Sequence, residues 1–573
     1  MRTSHRLRLI LTLAFAAILA VVMYAGYVSF WTDSEIWGTV AIRHWIGGDG
    51  LYDFYGKPLF SLVLLFNHGL SALLKTHPIY TGRLLFALNC LLMVYLFQRL
   101  ALKLSHKLFF AFALTALTIS NSFFIKRIGE VRSDGLITTM VLAWWLASTT
   151  RWWSNRRAYQ RILFSLGAVL LCMAATPKSL IFTSPWLALS EAPRLRAVLR
   201  GRSAAFKAKV AGAAALVFIL SALTISRSIR FFMESVAPGG EELAYFDLHR
   251  LEHLLRMMKE NPWILLFWAF NIHHSAVHRG QRSEVSRRFS DFANLSLLAL
   301  LIYPDRLPFL IASLIPFWTI PLAAAWPSWQ ADPRLVRVPV SRVLGLVIGF
   351  AAVNAVAWSL FMIRLHNNTD QKRFIEWIAD SKSRFGIVNI YDPVGVAPFT
   401  GAQHWFVGPG ESANNRALSQ QLQIYKPEVV FYTTKMLWLG DDMRKFLAEN
   451  YWSDGAGIFI HKHRFRVNSQ NIDFELLKKQ IYLAIPFIAQ DREHRFYIEL
   501  QGSGGIDISR YGKWINGFDE EVSFKNSLSA NEMDTYKTLV VPHGTVEILV
   551  LPVKIETPFS RNWMELFRFN SEI

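Results

Sequence analysis

Cysteine is nearly absent from the sequence, and the sites that depend on it are absent as well. The chain of 573 residues contains two cysteines, Cys90 and Cys172, and both lie inside apolar runs. Two cysteines placed in this way give neither a disulfide framework nor a metal-ligand spacing. The sequence also has no HExxH motif. We therefore predict no metal site. The cofactor is left unidentified, and a divalent cation stays one candidate.

Internal repeats and low-complexity tracts are missing too, and the composition is not that of a soluble enzyme. Hydrophobic residues make up 52% of the chain, charged residues 18%, and the mean hydropathy is +0.26. These values indicate a membrane domain joined to a soluble domain. The net charge of +19 would suggest nucleic acid in a soluble protein. Here much of the basic excess lies in short turns between apolar runs, where it sets membrane orientation, so we predict no nucleic-acid partner.

Apolar runs divide residues 1–363 into about eleven predicted transmembrane helices. The first run, Leu9–Phe30, is long enough to cross a hydrocarbon core of ~30 Å. The run Pro58–Leu74 is shorter, and we interpret it as a helix lying in the membrane interface. Lys and Arg concentrate in alternate turns, which predicts a cytoplasmic N-terminus. An odd number of spans then places the C-terminal region on the extracytoplasmic, or periplasmic, side of the inner (plasma) membrane.

The composition changes after Arg364, where strand-like and helix-like stretches begin to alternate. Residues 364–465 are predicted to form a periplasmic α/β domain, with buried strands around Asn389 and Val429. Residues 466–573 are predicted to form a periplasmic β-rich module, interpreted as a sandwich. The predicted fold class is therefore a polytopic α-helical membrane protein that carries an extracytoplasmic α/β domain and a β-rich module.

The stretch between the first two apolar runs, residues 31–57, is unusually rich in chemistry for a connector. Its acidic, phenolic and basic side chains include Asp33, Glu35, Asp53, Tyr55 and Lys57. Acids held at a membrane surface beside later basic loops suggest a site that handles a hydroxyl group and a phosphate. The alternative is a solvated loop whose acids cap the first turn of an interfacial helix and whose lysine reaches the lipid headgroups.

The order of motifs along the chain resembles that of the GT-C membrane glycosyltransferases. It is most similar to the branch that contains protein O-mannosyltransferases and the lipid A aminoarabinose transferase. The matching motifs are, in order, Asp33, Trp37, Gly48-x-x-x-Tyr52, Lys57-Pro58, Arg83-Leu84, Arg132-Ser-Asp134, Thr176-Pro-Lys178 and Arg306-x-Pro-Phe. The family usually has adjacent Asp and Glu, whereas Ser34 separates Asp33 from Glu35 here. Which of the two acids is catalytic therefore stays open.

This resemblance implies an enzyme that moves a sugar from a polyprenyl-phosphate donor to an extracytoplasmic lipid, glycan or protein acceptor. A carboxylate that accepts the proton of the acceptor is needed for that transfer; Asp33 is the first candidate and Glu35 the second. Cations are needed to stabilise the phosphate leaving group. The candidates for this role are Lys57, Arg83, Arg127, Arg132 and Lys178. The supporting residues are Asp53, Tyr55, Asp134 and Arg306. Single displacement with inversion is the expected outcome.

Three alternatives stay open from the sequence. The first is a ligase or polymerase that acts on lipid-linked oligosaccharide. The second is a polytopic transporter, although transporters tend to place ionisable groups near the bilayer midplane and to show internal duplication. The third is a sensor or scaffold whose outer tail binds glycan, for which the loop acids would be dispensable.

Overall fold

The structure is a computed structural model. It describes residues 2–29, 57–127, 129–176, 249–277, 284–302, 308–330 and 340–365 as continuous stretches, together with isolated positions such as Trp31 and Glu35, and shorter segments between 367 and 552. The chain divides into two compact units. The first contains Met1–Phe232, Glu241–Asn368 and Ser571–Ile573, and the second contains Met233–Gly240 and Thr369–Asn570.

The described part of the first unit is helical. Its helices are α1 (Arg2–Val28), α2 (Pro58–Leu74), α3 (Pro78–Ser105), α4 (Leu108–Ile119), α5 (Ser122–Arg127), α6 (Ser133–Ser148), α7 (Arg151–Ser154), α8 (Ala158–Ala175), α9 (His249–Glu260), α10 (Trp263–Val277), α11 (Glu284–Ile302), α12 (Pro308–Gln330) and α13 (Val340–Leu365).

Two of the described helices, over Pro78–Ser105 and Val343–Leu365, are long and apolar enough to cross a membrane. The shorter apolar helical ranges are Thr12–Val28, Pro58–Leu74, Leu108–Ile119, Tyr159–Ala175 and Ile311–Pro327. The predicted number of about eleven spans stays a prediction, as do the predicted domain boundaries.

Aromatic side chains fill the centre of the first unit. The Trp145 side chain on α6 is fully buried. Its ring lies 4.6 Å from that of Trp186 and 4.8 Å from that of Phe289, measured between centroids. The Phe292 and Phe317 rings lie 4.6 and 4.9 Å away, both edge-on. Edge-to-face packing of large rings is favourable beyond the burial of their area, so this cluster fixes α6 against α11 and α12.

The C-termini of helices α1 and α13 lie next to each other, at one end of the first unit. Val22 and Ala25 on α1 share a buried cluster with Ala355 and Met362 on α13. Beyond the helices, Ser29 forms an antiparallel bridge with Asn367, and Asn368 N donates to Val28 O at 2.9 Å. The chain therefore leaves the first unit at the end where residues 31–57 begin.

The described part of the second unit is mainly β-structure. The strands are β1 (Asn389–Tyr391), β2 (Gln403–Trp405), β3 (Val429–Phe431), β4 (Tyr451–Ser453), β5 (Ile458–His461), β6 (His463–Val467), β7 (Asn471–Asp473), β8 (Arg495–Gln501), β9 (Lys513–Asn516), β10 (Glu521–Ser523), β11 (Ser527–Ser529), β12 (Tyr536–Val540) and β13 (Val546–Pro552), and the short helix α14 covers Ala530–Met533.

These strands form three sheets. The first has the order β2-β1-β3-β5-β4, with β1 parallel to β2 and β3, and β5 antiparallel to β3 and β4. The other two, β10-β9-β12-β7 and β11-β8-β13-β6, are antiparallel throughout. A mixed sheet followed by antiparallel sheets is the pattern expected for an α/β segment followed by a β-rich one. Packing of the last two sheets as a sandwich stays a prediction.

Candidate functional site

Arg83 is the buried centre of the candidate site. Helix α3 starts at Pro78, whose fixed φ suits a first helical position, and His77 Nδ1 accepts a hydrogen bond from Ile79 N at 3.3 Å. Arg83 follows in the second turn, and its side chain is 0% exposed. Because a guanidinium keeps its charge in any protein environment, burial at this depth requires that its neighbours neutralise it.

Two sets of oxygen atoms neutralise Arg83. Its Nε and Nη2 donate to the two carboxylate oxygens of Glu35 at 2.9 and 2.7 Å, in bidentate geometry. Its Nη1 donates toward the carbonyl oxygens of Gly26 at 3.2 Å and Tyr27 at 2.9 Å, and toward that of Ser29. The first two carbonyls close the C-terminal turn of α1, where helix carbonyls lack partners and the helix dipole is negative. One side chain therefore caps α1 and holds Glu35.

Glu35 links a third segment to this pair. Its Oε1 also accepts a hydrogen bond from Val131 N at 3.0 Å, and its side chain is 0% exposed. The carboxylate therefore connects the stretch after α1, the start of α3 and the loop before α6. We call the set formed by Glu35, Arg83 and Val131 N the buried clamp. Both oxygens of Glu35 are used inside the protein.

Small residues bring these segments close enough to form the clamp. A Cβ atom on Gly129 would lie 2.5 Å from Gly26 O, and one on Gly82 would lie 2.8 Å from a Val131 methyl group. The first contact is with backbone, so the loop approaches α1 at a distance that only glycine allows. Asn67 on α2 donates to Pro78 O at 2.9 Å and fixes α2 to the start of α3.

Trp31 anchors the chain two positions before Asp33, the first candidate for the base. Trp31 is 3% exposed. Its ring stacks on that of His77 with centroids 5.5 Å apart and packs edge-on against that of Tyr80 at 5.7 Å. The chain is therefore anchored to α3 at Trp31 and again at Glu35.

Four alternating charges lie next to the buried clamp. Arg127 donates to Glu130 at 2.5 Å, Arg132 lies 3.7 Å from Glu130, and Arg132 lies 3.5 Å from Asp134. We call Arg127, Glu130, Arg132 and Asp134 the charged row. The arginine side chains are 12% and 14% exposed, whereas those of Glu130 and Asp134 are 2% and 6% exposed. The cations therefore reach the surface, and the acids lie behind them.

Two oxygens of the charged row are incompletely bonded. Glu130 Oε2 and Asp134 Oδ1 are buried and have no hydrogen-bond partner among the described residues. Burial raises the pKa of Glu130, and the nearby Glu35 carboxylate raises it further, while Arg127 and Arg132 oppose both effects. Asp134 lies in the first turn of α6, where the helix dipole favours a negative charge.

An apolar groove lies beside the same helices, toward the middle of the unit. Its volume is about 340 Å³, and it is lined by α2, α3 and α6 through Leu62, Val63, Phe66, Leu85, Phe86, Asn89 and Leu136. Phe86 and Asn89 lie three and six residues after Arg83 on α3. At 1.5 Å rise per residue, the groove extends about 5–9 Å along the helix from the buried clamp.

The structure brings together Glu35, Arg83, Arg127, Arg132 and Asp134 from the predicted set of site residues. Lys57 is half-buried and directly precedes α2. The other predicted residues, Asp33, Asp53, Tyr55, Lys178 and Arg306, lie outside the described residues. The functional role assigned to each residue from the sequence stays a prediction.

Sequence reasoning missed Glu130 as a member of the site. It lies between two predicted arginines, so the alternation of charge in Arg127–Asp134 was a signal that could have identified it. The same short segment contains Gly129, whose contact with α1 draws Glu130 into the interior. As for metals, the described residues contain no group of three or more His, Cys, Asp or Glu side chains placed to hold an ion.

Comparisons with known proteins gave similarities among solved structures. No protein-family model matches the chain, and no curated protein matches it. ArnT from Cupriavidus metallidurans in the apo state is similar with 12% identity and a TM-score of 0.47, over 78% of this chain and 95% of that chain. The same enzyme bound to undecaprenyl phosphate gives 14% identity and a TM-score of 0.46, over 77% and 95%.

The oligosaccharyltransferase of Archaeoglobus fulgidus, tethered to an acceptor peptide, is similar with 9% identity and a TM-score of 0.43, over 90% of this chain and 75% of that chain. ArnT is the lipid A aminoarabinose transferase, and both proteins are members of the GT-C superfamily. At such identities and TM-scores, the similarity assigns no activity to this chain.

Proposed function

We propose that this protein is a membrane glycosyltransferase that moves a sugar from a polyprenyl-phosphate donor to an extracytoplasmic acceptor, by single displacement with inversion. The observation that carries the proposal is the charged row next to the buried clamp. Partly exposed arginines and buried acids meet at one end of an apolar helical unit, where a lipid phosphate and an acceptor can both arrive. The apolar groove beside them has the character that a polyprenyl chain requires.

Asp33 is the better candidate for the base that accepts the acceptor's proton. Glu35 is fully buried, and Arg83 and Val131 N hold its two oxygens, so it cannot reach an acceptor without breaking the buried clamp. Asp33 is two positions from Glu35 in the sequence, and two residues of chain span at most about 7 Å. Trp31 fixes the chain on its other side. We therefore assign Asp33 as the base and Glu35 as a positioning residue.

Arg127 and Arg132 are the preferred ligands for the leaving phosphate. Negative charge develops on the phosphate oxygens as the sugar departs, and preorganised cations in a partly dry site stabilise that charge. Both arginines are partly exposed next to the buried clamp, whereas Arg83 is buried against α1 and Glu35. We assign Arg83 as a second positioning residue. Lys57 and Lys178 stay candidate phosphate ligands.

The apolar groove is the proposed place for the first isoprene units of the donor. Leu62 and Phe66 on α2 expose 51% and 62% of their surface, which would be costly in water and is favourable against lipid. The groove starts about one helical turn from Arg83, so a donor that lay along it would direct its phosphate toward the charged row.

A direct donor assay tests the proposal. Purified protein is supplied with radiolabelled polyprenyl-phosphate sugars and an envelope fraction that contains lipid, glycan and protein acceptors. Label should move from the donor to an acceptor only when the protein is present. Asp33→Asn should lower the transfer rate by ~10²–10⁴-fold, because the base is lost, while donor binding persists.

The matched control is Asp519→Asn, the same change at a residue that is 82% exposed in the second unit. Its transfer rate should equal that of the unchanged protein. Full activity of Asp33→Asn would exclude Asp33 as the base. Absence of transfer from every donor, with donor binding also absent, would refute the glycosyltransferase proposal.

A further inference from the structure

The charged row contains a carboxyl group for which transfer chemistry has no direct use. Glu130 is buried between Arg127 and Arg132, and its Oε2 has no hydrogen bond within the described part of the chain. It faces the two arginines directly, Glu35 from the buried clamp, and Asp134 across Arg132. Arg83 neutralises Glu35. Among the residues that the structure describes, these are the charged groups packed against Glu130.

The charge balance of this region opposes phosphate binding. The buried clamp and the charged row together contain three cations, Arg83, Arg127 and Arg132, and three carboxylates, Glu35, Glu130 and Asp134. These six described side chains therefore carry no net charge when every acid is ionised. A bound phosphate adds negative charge in a place where water is scarce, and uncompensated charge is costly there.

We propose that Glu130 takes up one proton from solution when a phosphate binds to Arg127 and Arg132, and releases it when the phosphate leaves. This inference rests on the proposed function, because it assumes that these arginines receive a lipid phosphate. No covalent bond changes other than the O–H bond of the carboxyl group. The phosphate replaces the Glu130 carboxylate as the partner of the arginines, and the neutral carboxyl group stays buried at low cost.

The geometry supports this exchange in two ways. The arginines are the more exposed members of the charged row, so a phosphate can reach them from outside while the Glu130 side chain keeps its buried position behind them. Arg127 contacts Glu130 through an ion pair that a doubly hydrogen-bonded phosphate can replace. The raised pKa of Glu130, caused first by burial, shows that its neutral form is favoured in this position relative to water.

Calorimetry tests the exchange with a defined probe. The probe is the methyl ester of farnesyl phosphate, a phosphodiester whose single negative charge does not change over the pH range used. Binding to the full chain in detergent is measured from pH 5.5 to 9.5, at constant ionic strength, in pairs of buffers with different ionisation enthalpies. We expect uptake of up to one proton per bound probe. The Kd of the probe should rise by about tenfold per pH unit above the pKa that Glu130 has in the protein without the probe.

The variant Glu130→Gln keeps the size of the side chain and removes the titration. Its Kd should be independent of pH and close to that of the unchanged protein at low pH, and proton uptake should disappear. The matched control is Glu260→Gln, which alters a half-buried acid that pairs with Lys126 on α5. Glu260→Gln should keep both the proton uptake and the pH dependence.

Three results separate the inference from the proposed function. Binding of the probe by the unchanged protein without proton uptake would overturn the inference and leave the proposed function intact. Proton uptake that persists in Glu130→Gln would also overturn it, by assigning the proton to another group. Absence of probe binding at every pH would overturn the proposed function itself. Absence of proton uptake by the unchanged protein overturns the inference even if Glu130→Gln does not fold.

Discussion

Arg83 offers the sharpest test of the site, because its two candidate roles predict opposite results. If it binds the donor phosphate, Arg83→Gln lowers donor binding and leaves folding intact. If it is a positioning residue, as its contacts indicate, Arg83→Gln destabilises the first unit. The perturbation leaves the Glu35 carboxylate buried without its cation and removes the donor that serves the last carbonyls of α1.

The expected magnitude follows from those contacts. Removing one partner of a buried ion pair costs about 3–5 kcal/mol, because the other charge stays buried. The Nη1 group has two hydrogens for its several oxygen neighbours, so at most two further hydrogen bonds are lost, at about 0.5–1.5 kcal/mol each. The sum, roughly 4–8 kcal/mol, is comparable with the whole stability of a domain. Arg83→Gln should therefore yield little folded protein.

A double-mutant cycle makes the result interpretable. Glu35→Gln alone leaves Arg83 buried with the α1 carbonyls as partners and should cost less than Arg83→Gln. The double variant Glu35→Gln/Arg83→Gln removes both charges and should recover several kcal/mol relative to the sum of the single changes. Arg83→Lys keeps the charge but loses the bidentate geometry, and it should be less stable than the unchanged protein.

The assay is thermal unfolding in detergent, followed by tryptophan fluorescence and by recovery of monodisperse protein. Arg256→Gln is the control, because it removes an arginine that is 28% exposed and paired with Glu260; it should cost at most about 1 kcal/mol. Normal melting of Arg83→Gln, together with loss of donor binding, would refute the positioning role and restore Arg83 as a phosphate ligand.

Two further predictions concern packing and membrane orientation. Gly129→Ala should lower the melting temperature of the first unit measurably, because its Cβ would lie 2.5 Å from Gly26 O. The control Gly135→Ala, whose Cβ would have its nearest neighbour at 3.7 Å, should be neutral or stabilising by about 0.5–1 kcal/mol. Equal melting temperatures of the two variants would contradict the close approach of Gly129 to α1. Phe518→Cys, at a side chain that is 87% exposed, should react with a membrane-impermeant maleimide in intact cells. Lys107→Cys, at the opposite end of α3 from the site, should react only after permeabilisation, and the buried Cys90 and Cys172 should not react. Labelling of Lys107→Cys alone in intact cells would reverse the predicted orientation.

The sequence predicted a helix or strand correctly where the residues of that element alone determine it. The apolar run Pro58–Leu74 coincides with α2, and Asp134 stands in the first turn of α6. Strand β8, Arg495–Gln501, is a segment in which apolar and polar residues alternate, and it lies in the predicted β-rich module. The apolar run of residues 108–124 does not form one continuous helix, because it is divided between α4 and α5. The polar residues Ser120 and Asn121 interrupt it, and the Asn121 side chain accepts a hydrogen bond from Phe123 N at 2.9 Å, which caps α5.

The pairing of charges could not be predicted from the sequence. Glu35 and Arg83 are 48 residues apart, and no local pattern distinguishes an arginine that binds carbonyls from one that binds phosphate. The sequence resemblance placed Glu35 and Arg83 alike on the extracytoplasmic side of the membrane. Glu130 was overlooked for a related reason, since its distinctive property is burial behind two arginines, and burial of a loop acid depends on contacts made by α1.

The contact between Ser29 and Asn367 has a consequence for biogenesis. The two residues are separated by 338 positions, from 29 to 367, and synthesis at about 5–20 residues per second needs roughly 17–68 s to cover that distance. During this interval α1 lacks its partner α13. A chain that is truncated before α13 therefore presents an incomplete helix pair to the membrane quality-control machinery, so a premature stop anywhere before α13 should remove the whole protein and not only its last domain.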